Sequence, residues 1–381
     1  LAACIMVRQR LGADPSLVLH GGGNTSAKST RTDVTGVEVE VLYVKGSGHD
    51  LATITEDGFA PLRLDRVLAL SKLTELDDVT YVNELPQASM SADAPPASIE
   101  AVLHALLPHR FVLHTHADAI VTLTNQVDGE QLIMDALGPD VLVLSYVKPG
   151  FDLAVQVARA VQDRDPRTLT GIVLRNHGLF TFSDNADEAL QTHHDLVERA
   201  SDALPYLSSS AEPKGEADPL NYASFRAEWS RAAGFPVVLE RRADTAGNTL
   251  LAHDGVEDLA TRGPLTPEHV IHTKRVPLIG RDFAEYADNY RFYVDSHRQS
   301  AAGDLIAIDP APRVAFDEEF GLVTAGATPK AATIAADIAE HTAAGMLRAE
   351  AMTGYRTLSP ADVFEIEYWT LEQRKLAAKR S

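Results

Sequence analysis

Two histidines end a short apolar run, Phe111-Val112-Leu113-His114-Thr115-His116. In an extended strand alternate side chains share a face, so this spacing predicts that both imidazoles point the same way. A catalytic zinc site needs a third protein ligand and one open position. The best candidate ends a second β-branched run, Ile172-Val173-Leu174-Arg175-Asn176-His177-Gly178. We therefore predict a metal site at His114, His116 and His177, although an H-x-H pair in a chain with 14 histidines is more often a surface or core pair.

The composition is that of an acidic globular protein. The chain has 381 residues, of which 45% are hydrophobic and 23% charged, and a net charge of −20. This length is enough for two domains with their own cores. The charge argues against nucleic acid or an anionic membrane surface as a partner, and no apolar run approaches the roughly 18 residues of a membrane span. A phosphorylated substrate would therefore need a local cationic or amide-lined pocket.

The cysteine content and the N-terminal residues favour a location in the cytoplasm. The single cysteine, Cys4, cannot form an internal disulfide, which is typical of a reducing compartment. Residues 1–7 are apolar, but Arg8 and Arg10 follow them rather than precede them. This order is not that of a signal peptide.

Two glycine-rich segments are candidate anion-binding loops. The first, His20-Gly21-Gly22-Gly23-Asn24-Thr25-Ser26-Ala27-Lys28, follows a predicted strand over residues 17–19; the second, Lys45-Gly46-Ser47-Gly48-His49-Asp50, follows one over residues 39–44. Glycines let the backbone approach a ligand, and Asn24, Ser26 and Ser47 would supply donors for an anion. Neither segment is a Walker A or dinucleotide loop, and a plain turn is the alternative for each.

A helix is predicted between the prolines at 95–96 and Pro108, directly before the histidine run. It places Ser98 in the first turn, whose free amides favour anions. Glu100 and His104 are four residues apart and share a face, so Glu100 would face the metal. The alternative is that Glu100 only complements the helix dipole.

The remaining pattern predicts an α/β fold in the first half of the chain. Further strands are expected at 141–147, 171–174 and 180–183, helices at 1–11, 65–76, 153–162 and 185–204, and a hairpin at 51–60. We predict a catalytic domain over residues 1–205, a linker over 206–215 and a C-terminal domain over 216–381.

The C-terminal domain is predicted to be a degenerate second copy of the first, with an unrelated helix-rich domain as the alternative. Val270-Ile271-His272-Thr273-Lys274 is similar to residues 112–116 without the second histidine. Residues from Gly321 onward align with those from Gly178 onward at one constant offset, which sets Phe320 opposite His177. This copy would therefore have lost its metal ligands.

These parts suit a phosphorylated hydroxyketone as substrate. A metal on three histidines would act as a Lewis acid at the carbonyl and hydroxyl oxygens, the loops and Ser98 would bind the phosphate, and Glu100 would carry a proton to and from carbon.

Five motifs resemble, in order and spacing, those of the class II aldolase/adducin family: Gly23-Asn24-Thr25-Ser26, Ser47-Gly48, Ser98-x-Glu100-x-x-x-His104, His114-x-His116 and Asn176-His177-Gly178. The resemblance covers about residues 10–205. It implies an α/β/α sandwich, a zinc or another divalent transition metal on the three histidines, and Glu100 as the catalytic residue. It also implies phosphate binding by Asn24, Ser47, Gly48 and Ser98. Ile99 stands where the family often has a second serine.

The whole chain resembles the aldolase part of bifunctional rhamnulose-1-phosphate aldolase/lactaldehyde dehydrogenases. Three segments carry this resemblance: Leu17 to Ser26, His269 to Arg275, and Phe364 to Trp369 with Leu371-Glu372. It implies reversible cleavage of a ketose 1-phosphate, such as rhamnulose 1-phosphate, to dihydroxyacetone phosphate and lactaldehyde. It also implies a short-chain dehydrogenase domain, fused or separate; this chain has no dinucleotide loop, so we expect no hydride chemistry in it.

The same family leaves other activities open. It includes ribulose-phosphate 4-epimerases, which typically carry Asp at the position of Glu100, sugar-phosphate dehydratases, and adducin-like scaffolds without catalysis. Family enzymes are often tetramers, which implies a homo-oligomer unless residues 216–381 cover the subunit interface within the chain.

Overall fold

The computed structural model describes residues 2–207, 215–243, 245–300 and 305–369, which form two compact units. The first unit comprises Leu1–Ile120 and Gly129–Ala203, and the second comprises Val121–Asp128 and Leu204–Ser381. Most of the predicted linker, and the pair Leu371-Glu372, lie outside the described residues. None of the described helices is both long and apolar enough to cross a lipid bilayer.

The first unit contains a seven-stranded sheet. Its helices are α1 (Ala2–Gly12), α2 (Leu64–Leu70), α3 (Asp78–Gln87), α4 (Ala101–Leu106), α5 (Asp118–Thr124, shared with the second unit), α6 (Gly129–Leu137), α7 (Phe151–Asp163) and α8 (Ala186–Asp202). Its strands are β1 (Asn24–Thr32), β2 (Glu38–Lys45), β3 (Phe59–Arg63), β4 (Phe111–Thr115), β5 (Val141–Leu144), β6 (Gly171–Leu174) and β7 (Gly178–Ser183). Their order is β3-β2-β1-β4-β7-β6-β5, and every neighbouring pair is antiparallel except β5 and β6.

Helices cover both faces of this sheet. On one face, Val112 and Phe180 share an apolar cluster with residues of α4 and α7. On the other face, Thr115 and Thr181 hydrogen-bond to His193 of α8. Because neighbouring residues of a strand point to opposite sides, these contacts define an α/β/α sandwich. The predicted fold class is confirmed.

The first glycine-rich segment was misassigned at the level of secondary structure. Residues 17–19 are not a strand, and the residues from Asn24 onward belong to β1 rather than to a loop. Strand β1 forms a hairpin with β2 on one side and pairs on the other with β4, which is far away in sequence, so its backbone groups find partners on both sides. This pairing overrides the local turn preference of Asn24, whereas the three preceding glycines remain outside the strand.

The helix before the histidine run is shorter than expected. It begins at Ala101, with Glu100 at its N-cap, so Ser98 lies before the helix and not in its first turn. The reason is a backbone pairing with the second glycine-rich segment: Ser47 N donates to Pro96 O at 2.8 Å, and Ser98 N donates to Lys45 O at 3.0 Å. This pairing holds residues 96–98 in an extended form.

Other elements follow the expectation with some exceptions. Helices α1, α7 and α8 and strands β2, β6 and β7 lie close to their predicted positions. The helix expected at 65–76 is the shorter α2, followed by a separate α3 that Asp77 caps. The hairpin expected at 51–60 is a turn with a short 3₁₀ helix, Glu56–Gly58, that leads into β3.

The second unit contains a four-stranded sheet. Its helices are α9 (Pro219–Ala233), α10 (Ala246–Leu251), α11 (Val256–Ala260), α12 (Val270–Thr273), α13 (Phe283–His297), α14 (Pro329–Glu350) and α15 (Pro360–Glu367). Its strands are β8 (Val238–Arg242), β9 (Leu278–Ile279), β10 (Val314–Asp317) and β11 (Gly321–Gly326), in the order β8-β11-β10-β9.

The strand order of the second sheet repeats that of β4-β7-β6-β5. In both sets the first two pairings are antiparallel and the last is parallel. Strand β8 takes the position of β4. The proposed similarity of residues 270–274 to the histidine strand was therefore wrong, because Val270–Thr273 form helix α12.

Candidate metal centre

Strand β4 directs two histidines to one point. His114 lies near the end of β4, between Asn24 of β1 and Phe180 of β7, and His116 follows the end of the strand. Their Nε2 atoms are 3.0 Å apart. The residue between them, Thr115, points to the opposite face. The alternation expected from sequence thus brings both imidazoles together.

The turn between β6 and β7 adds the third histidine. The ring of His177 lies 5.0 Å, between centroids, from the rings of both His114 and His116. Asn176 adopts a left-handed conformation with φ of 57°, which asparagine tolerates better than most residues. A Cβ atom at Gly178 would lie 2.2 Å from Thr115 O, so only glycine lets the turn approach β4 this closely.

The hydrogen bonding of His114 prepares it to bind a metal. Its Nδ1 lies 3.1 Å from Leu179 O, so Nδ1 carries the proton and Nε2 presents its lone pair to the cluster. Burial, followed by the neighbouring imidazoles of His116 and His177, holds the pKa of His114 well below its usual value. A neutral imidazole is the form that binds a metal.

The three histidines fit a divalent metal ion. Their ligand atoms lie within 4.8 Å of one another. Among the described residues, these three histidines form the group of His, Cys, Asp or Glu side chains that could hold a metal ion. Three neutral imidazole nitrogens match the ligand number of a catalytic zinc site and also suit other divalent transition metals.

A carboxylate borders the histidine cluster. Glu100 is 7% exposed, with Oε1 3.4 Å from His177 Nε2 and Oε2 3.7 Å from His114 Nε2. Asn24 Nδ2 donates hydrogen bonds to Glu100 Oε2 and, at 3.1 Å, to Ser98 Oγ. Ser98 Oγ also lies 3.3 Å from the backbone N–H of Glu100, which donates to it.

Of the predicted phosphate-binding residues, four lie next to one another beside Glu100, and the fifth points into the interior. Asn24 and Ser98 are bonded to each other beside Glu100, and the exposed residues Ser47 and Gly48 adjoin Ser98 through the backbone pairing described above. Ser26 is fully buried, and its hydroxyl lies 2.8 Å from His104 Nδ1. We therefore revise the predicted role of Ser26 from phosphate binding to an internal contact.

The lysines of the two glycine-rich segments bind backbone carbonyls. Lys28 Nζ donates to the carbonyl oxygens of His104, Leu107 and His109 at the end of α4. Burial lowers the pKa of Lys28 to about 8. Lys45 Nζ donates to Gly21 O at 2.9 Å. Both ammonium groups are therefore engaged in hydrogen bonds within the fold.

Two buried histidines next to the cluster were missed as functional candidates. His104 was noticed only for its spacing from Glu100, yet its Nε2 contacts Asn24 Oδ1. His193 of α8 contacts Thr115 and Thr181 at 2.7 and 2.9 Å. Burial lowers the pKa of each to about 3, so both are neutral. No sequence pattern points to His193, because its partners lie on two distant strands.

Sequence comparison places the chain in a known family. The family model described as the Class II Aldolase and Adducin N-terminal domain matches residues 5–204, and the one described as the second domain of class II aldolase matches residues 218–376. The chain therefore belongs to the class II aldolase and adducin family.

One curated relative is similar to nearly the whole chain. An uncharacterized oxidoreductase, YuxG of Bacillus subtilis (strain 168), is 29% identical over 397 aligned residues, which cover 96% of this chain and 56% of that protein. This chain thus spans little more than half the length of that relative.

Two solved structures are similar to about half of the chain. The N-terminal class II aldolase domain of a conserved protein from Thermoplasma acidophilum is 41% identical, over 52% of this chain and 91% of that one, with a TM-score of 0.49. The L-fuculose-1-phosphate aldolase from Thermus thermophilus is 22% identical, over 52% and 90% of the two chains, with a TM-score of 0.33.

Proposed function

We propose that this chain is a metal-dependent aldolase that reversibly cleaves a ketose 1-phosphate to dihydroxyacetone phosphate and an aldehyde. Rhamnulose 1-phosphate, which gives lactaldehyde, is the first candidate substrate. The observation that carries the proposal is the position of the Glu100 carboxylate, 3.4 and 3.7 Å from the Nε2 atoms of His177 and His114. A binding scaffold has no need for a buried carboxylate at a histidine cluster.

The proposed chemistry divides between the cluster and Glu100. When bound by His114, His116 and His177, a divalent metal, zinc being the first candidate, supplies Lewis-acid stabilisation of negative charge on the substrate oxygens. Cleavage breaks the C3–C4 bond, and the net reaction moves the C4 hydroxyl proton to C3. Glu100 is proposed to deliver the proton to C3 and, in the reverse direction, to remove it.

The proposed phosphate site lies on the segments next to Glu100. Ser47 and Gly48 are exposed, and Ser98 is partly buried, so their donors are accessible to an anion. Asn24 is bonded to Glu100 and Ser98, and we propose that it lies at the junction between phosphate and carboxylate. Backbone amides and hydroxyls here would offset the repulsion expected from a chain of net charge −20.

The organisation of the whole protein follows from the same proposal. We propose that residues 1–205 are the catalytic domain and residues 216–381 a degenerate copy, and that the chain forms a homo-oligomer in the cytoplasm. Because the chain spans 56% of YuxG, we also propose that a short-chain dehydrogenase domain, fused or separate, consumes the aldehyde. The activity in the name of that relative is not assigned to this chain.

The test is release of dihydroxyacetone phosphate from a panel of ketose 1-phosphates. Metal-loaded protein and a chelator-treated sample are compared on each sugar, and products are identified by NMR. Release that the chelator abolishes and added metal restores is the expected result. An epimerised or dehydrated sugar would replace the aldolase proposal with another activity of the family, and metal binding without any product would favour a scaffold.

A further inference from the structure

A chain of buried side chains leads from the interior of the first unit to Glu100. Asn24 and Ser26 are two residues apart on β1 and face α4 together, where they meet Glu100 and His104. Ser26 Oγ lies 2.8 Å from His104 Nδ1, His104 Nε2 contacts Asn24 Oδ1, and Asn24 Nδ2 contacts Glu100 Oε2. These four residues are at most 7% exposed.

We propose that His104 is a positioning residue, which fixes the Asn24 amide and, through it, the orientation of the Glu100 carboxylate. This inference rests on the proposed role of Glu100 in proton transfer. Neither the family match nor the histidine cluster assigns a role to His104.

The donors and acceptors of these four side chains fit together in only one way. An ionised carboxylate only accepts, so the Asn24 group facing Glu100 is the NH₂, and its oxygen faces His104. His104 must then donate from Nε2, which leaves Nδ1 as an acceptor for the Ser26 hydroxyl. Ser26 therefore selects the tautomer of His104 that holds Asn24 in the productive orientation.

The surroundings keep this arrangement in place. Burial lowers the pKa of His104 to about 3, so the imidazole stays neutral and its Nδ1 remains an acceptor at neutral pH. The facing groups are Ser26 and Asn24 of β1, Lys28, which lowers the pKa further, and the Phe180 ring, whose centroid is 5.6 Å from that of His104. Lys28 separately anchors the end of α4, so a substitution at 104 leaves the helix attached.

Loss of His104 would release the Asn24 amide. Without the two ring nitrogens of His104, the Asn24 amide is free to turn its oxygen toward Glu100. The oxygen and the carboxylate would then repel each other. Glu100 would then leave its position beside His114 and His177, whereas the exposed phosphate donors would not move. Because Ser47 and Gly48 keep their positions, the effect should be much larger in kcat than in KM.

The kinetic test compares two substitutions at the same position. His104→Phe keeps an aromatic ring but removes both nitrogens, whereas His104→Gln keeps one donor and one acceptor. With metal-loaded full chain, we expect His104→Phe to lower kcat by about 10- to 100-fold, as misplacement of a catalytic group does, with KM within about twofold. His104→Gln should recover most of that loss.

A matched control removes a buried hydroxyl elsewhere. Thr324→Val in the second unit deletes a bond of 2.8 Å to Ala332 O and should leave kcat unchanged. Wild-type kcat in His104→Phe, equal loss in the Gln and Phe variants, or a rise in KM alone would each overturn the proposal.

A second measurement separates this inference from the proposed function. In full-length protein labelled with ¹⁵N-histidine, the His104 signal, assigned by its absence in His104→Gln, should be that of the neutral Nε2–H tautomer. Ser26→Ala should shift it toward the other tautomer. A wild-type Nδ1–H tautomer would overturn the proposed direction even if cleavage is observed. If no sugar is cleaved but the Nε2–H tautomer and its Ser26 dependence are present, the function fails while the hydrogen-bond order stands.

Discussion

The two units contain the same hairpin followed by a helix, but only one hairpin carries a histidine. Across the turn of the first hairpin Leu174 pairs with Gly178, and across the second Asp317 pairs with Gly321, at the offset that the sequence alignment predicts. At the same offset, Thr181 Oγ1 donates to Ala189 O at 3.1 Å, and Thr324 Oγ1 donates to Ala332 O at 2.8 Å. These shared details support the proposal of a degenerate second copy.

The difference lies in the side chains at the strand ends. Phe320 occupies the position of His177 and packs, fully buried, against Tyr222 and Phe225. The register of β8 with β11 sets Arg241 where β4 has His114, and Arg241 Nε donates to Phe320 O at 2.8 Å. The same backbone arrangement thus supports a cluster of histidines in one unit and an aromatic core in the other. The fold alone does not make the site.

Loss of a proposed metal ligand should have the largest effect. His114→Ala leaves two histidines, so we expect the purified protein to lose its metal and all measurable cleavage. Metal content by plasma mass spectrometry, with activity, is the measurement. His272→Ala is the control, because this residue resembles His114 in sequence but lies in α12 of the second unit. A fully metallated His114→Ala protein would refute the ligand assignment.

Removal of the proposed proton carrier should separate binding from chemistry. Glu100→Gln keeps the size of the side chain, so metal content should stay at the wild-type level while cleavage falls by about 10²- to 10⁴-fold, the usual contribution of general acid–base catalysis. A complementary measurement is exchange of the dihydroxyacetone phosphate C–H proton in D₂O, which needs no aldehyde. Equal exchange rates in variant and wild type would remove Glu100 from the mechanism.

Exchange of the phenylalanine and the histidine between the two hairpins tests whether one histidine is enough to create a metal site. Phe320→His should not create a second metal site, because Arg241 and Ala243 occupy the positions that correspond to His114 and His116. It should instead lower the free energy of unfolding by about 2–4 kcal/mol, since a buried ring is replaced by a smaller polar one. His177→Phe is the matched variant and should lose metal. A second bound metal per chain in Phe320→His would contradict this interpretation.

The parts predicted from sequence were those that local pattern determines. The two-residue spacing of His114 and His116 reports strand alternation, and the constant offset from Gly178 to Gly321 reports a repeated hairpin, so both led to correct placements. The strand β1 and the role of Ser26 were missed because they depend on pairing with β2 and β4 and on contact with α4. Residues 270–274 misled the alignment because similar side chains there belong to a helix.

The smallest effect expected concerns pH and a histidine that the second unit lacks. His193 of α8 corresponds, at the hairpin offset, to the buried Ala336 of α14. The Thr181 hydroxyl donates its hydrogen bond to Ala189 O, so it can only accept from His193 Nδ1. His193 Nε2 is then unprotonated and accepts from the Thr115 hydroxyl. Protonation would add a second donor where an acceptor is needed.

The folded-state pKa of His193, lowered to about 3 by burial, lies below the ordinary value of 6.5. The unfolded chain therefore binds a proton that the folded chain does not as the pH falls from 6.5 toward 3, so acid should cost stability in that window, by up to about 1.4 kcal/mol per pH unit. Urea unfolding of wild type and His193→Gln at pH 7, 6 and 5 measures this slope. The variant should be less stable at pH 7 but lose less on acidification. Parallel slopes would show that burial does not lower the pKa of His193 in the folded protein, and the contact with Thr115 would then need another explanation.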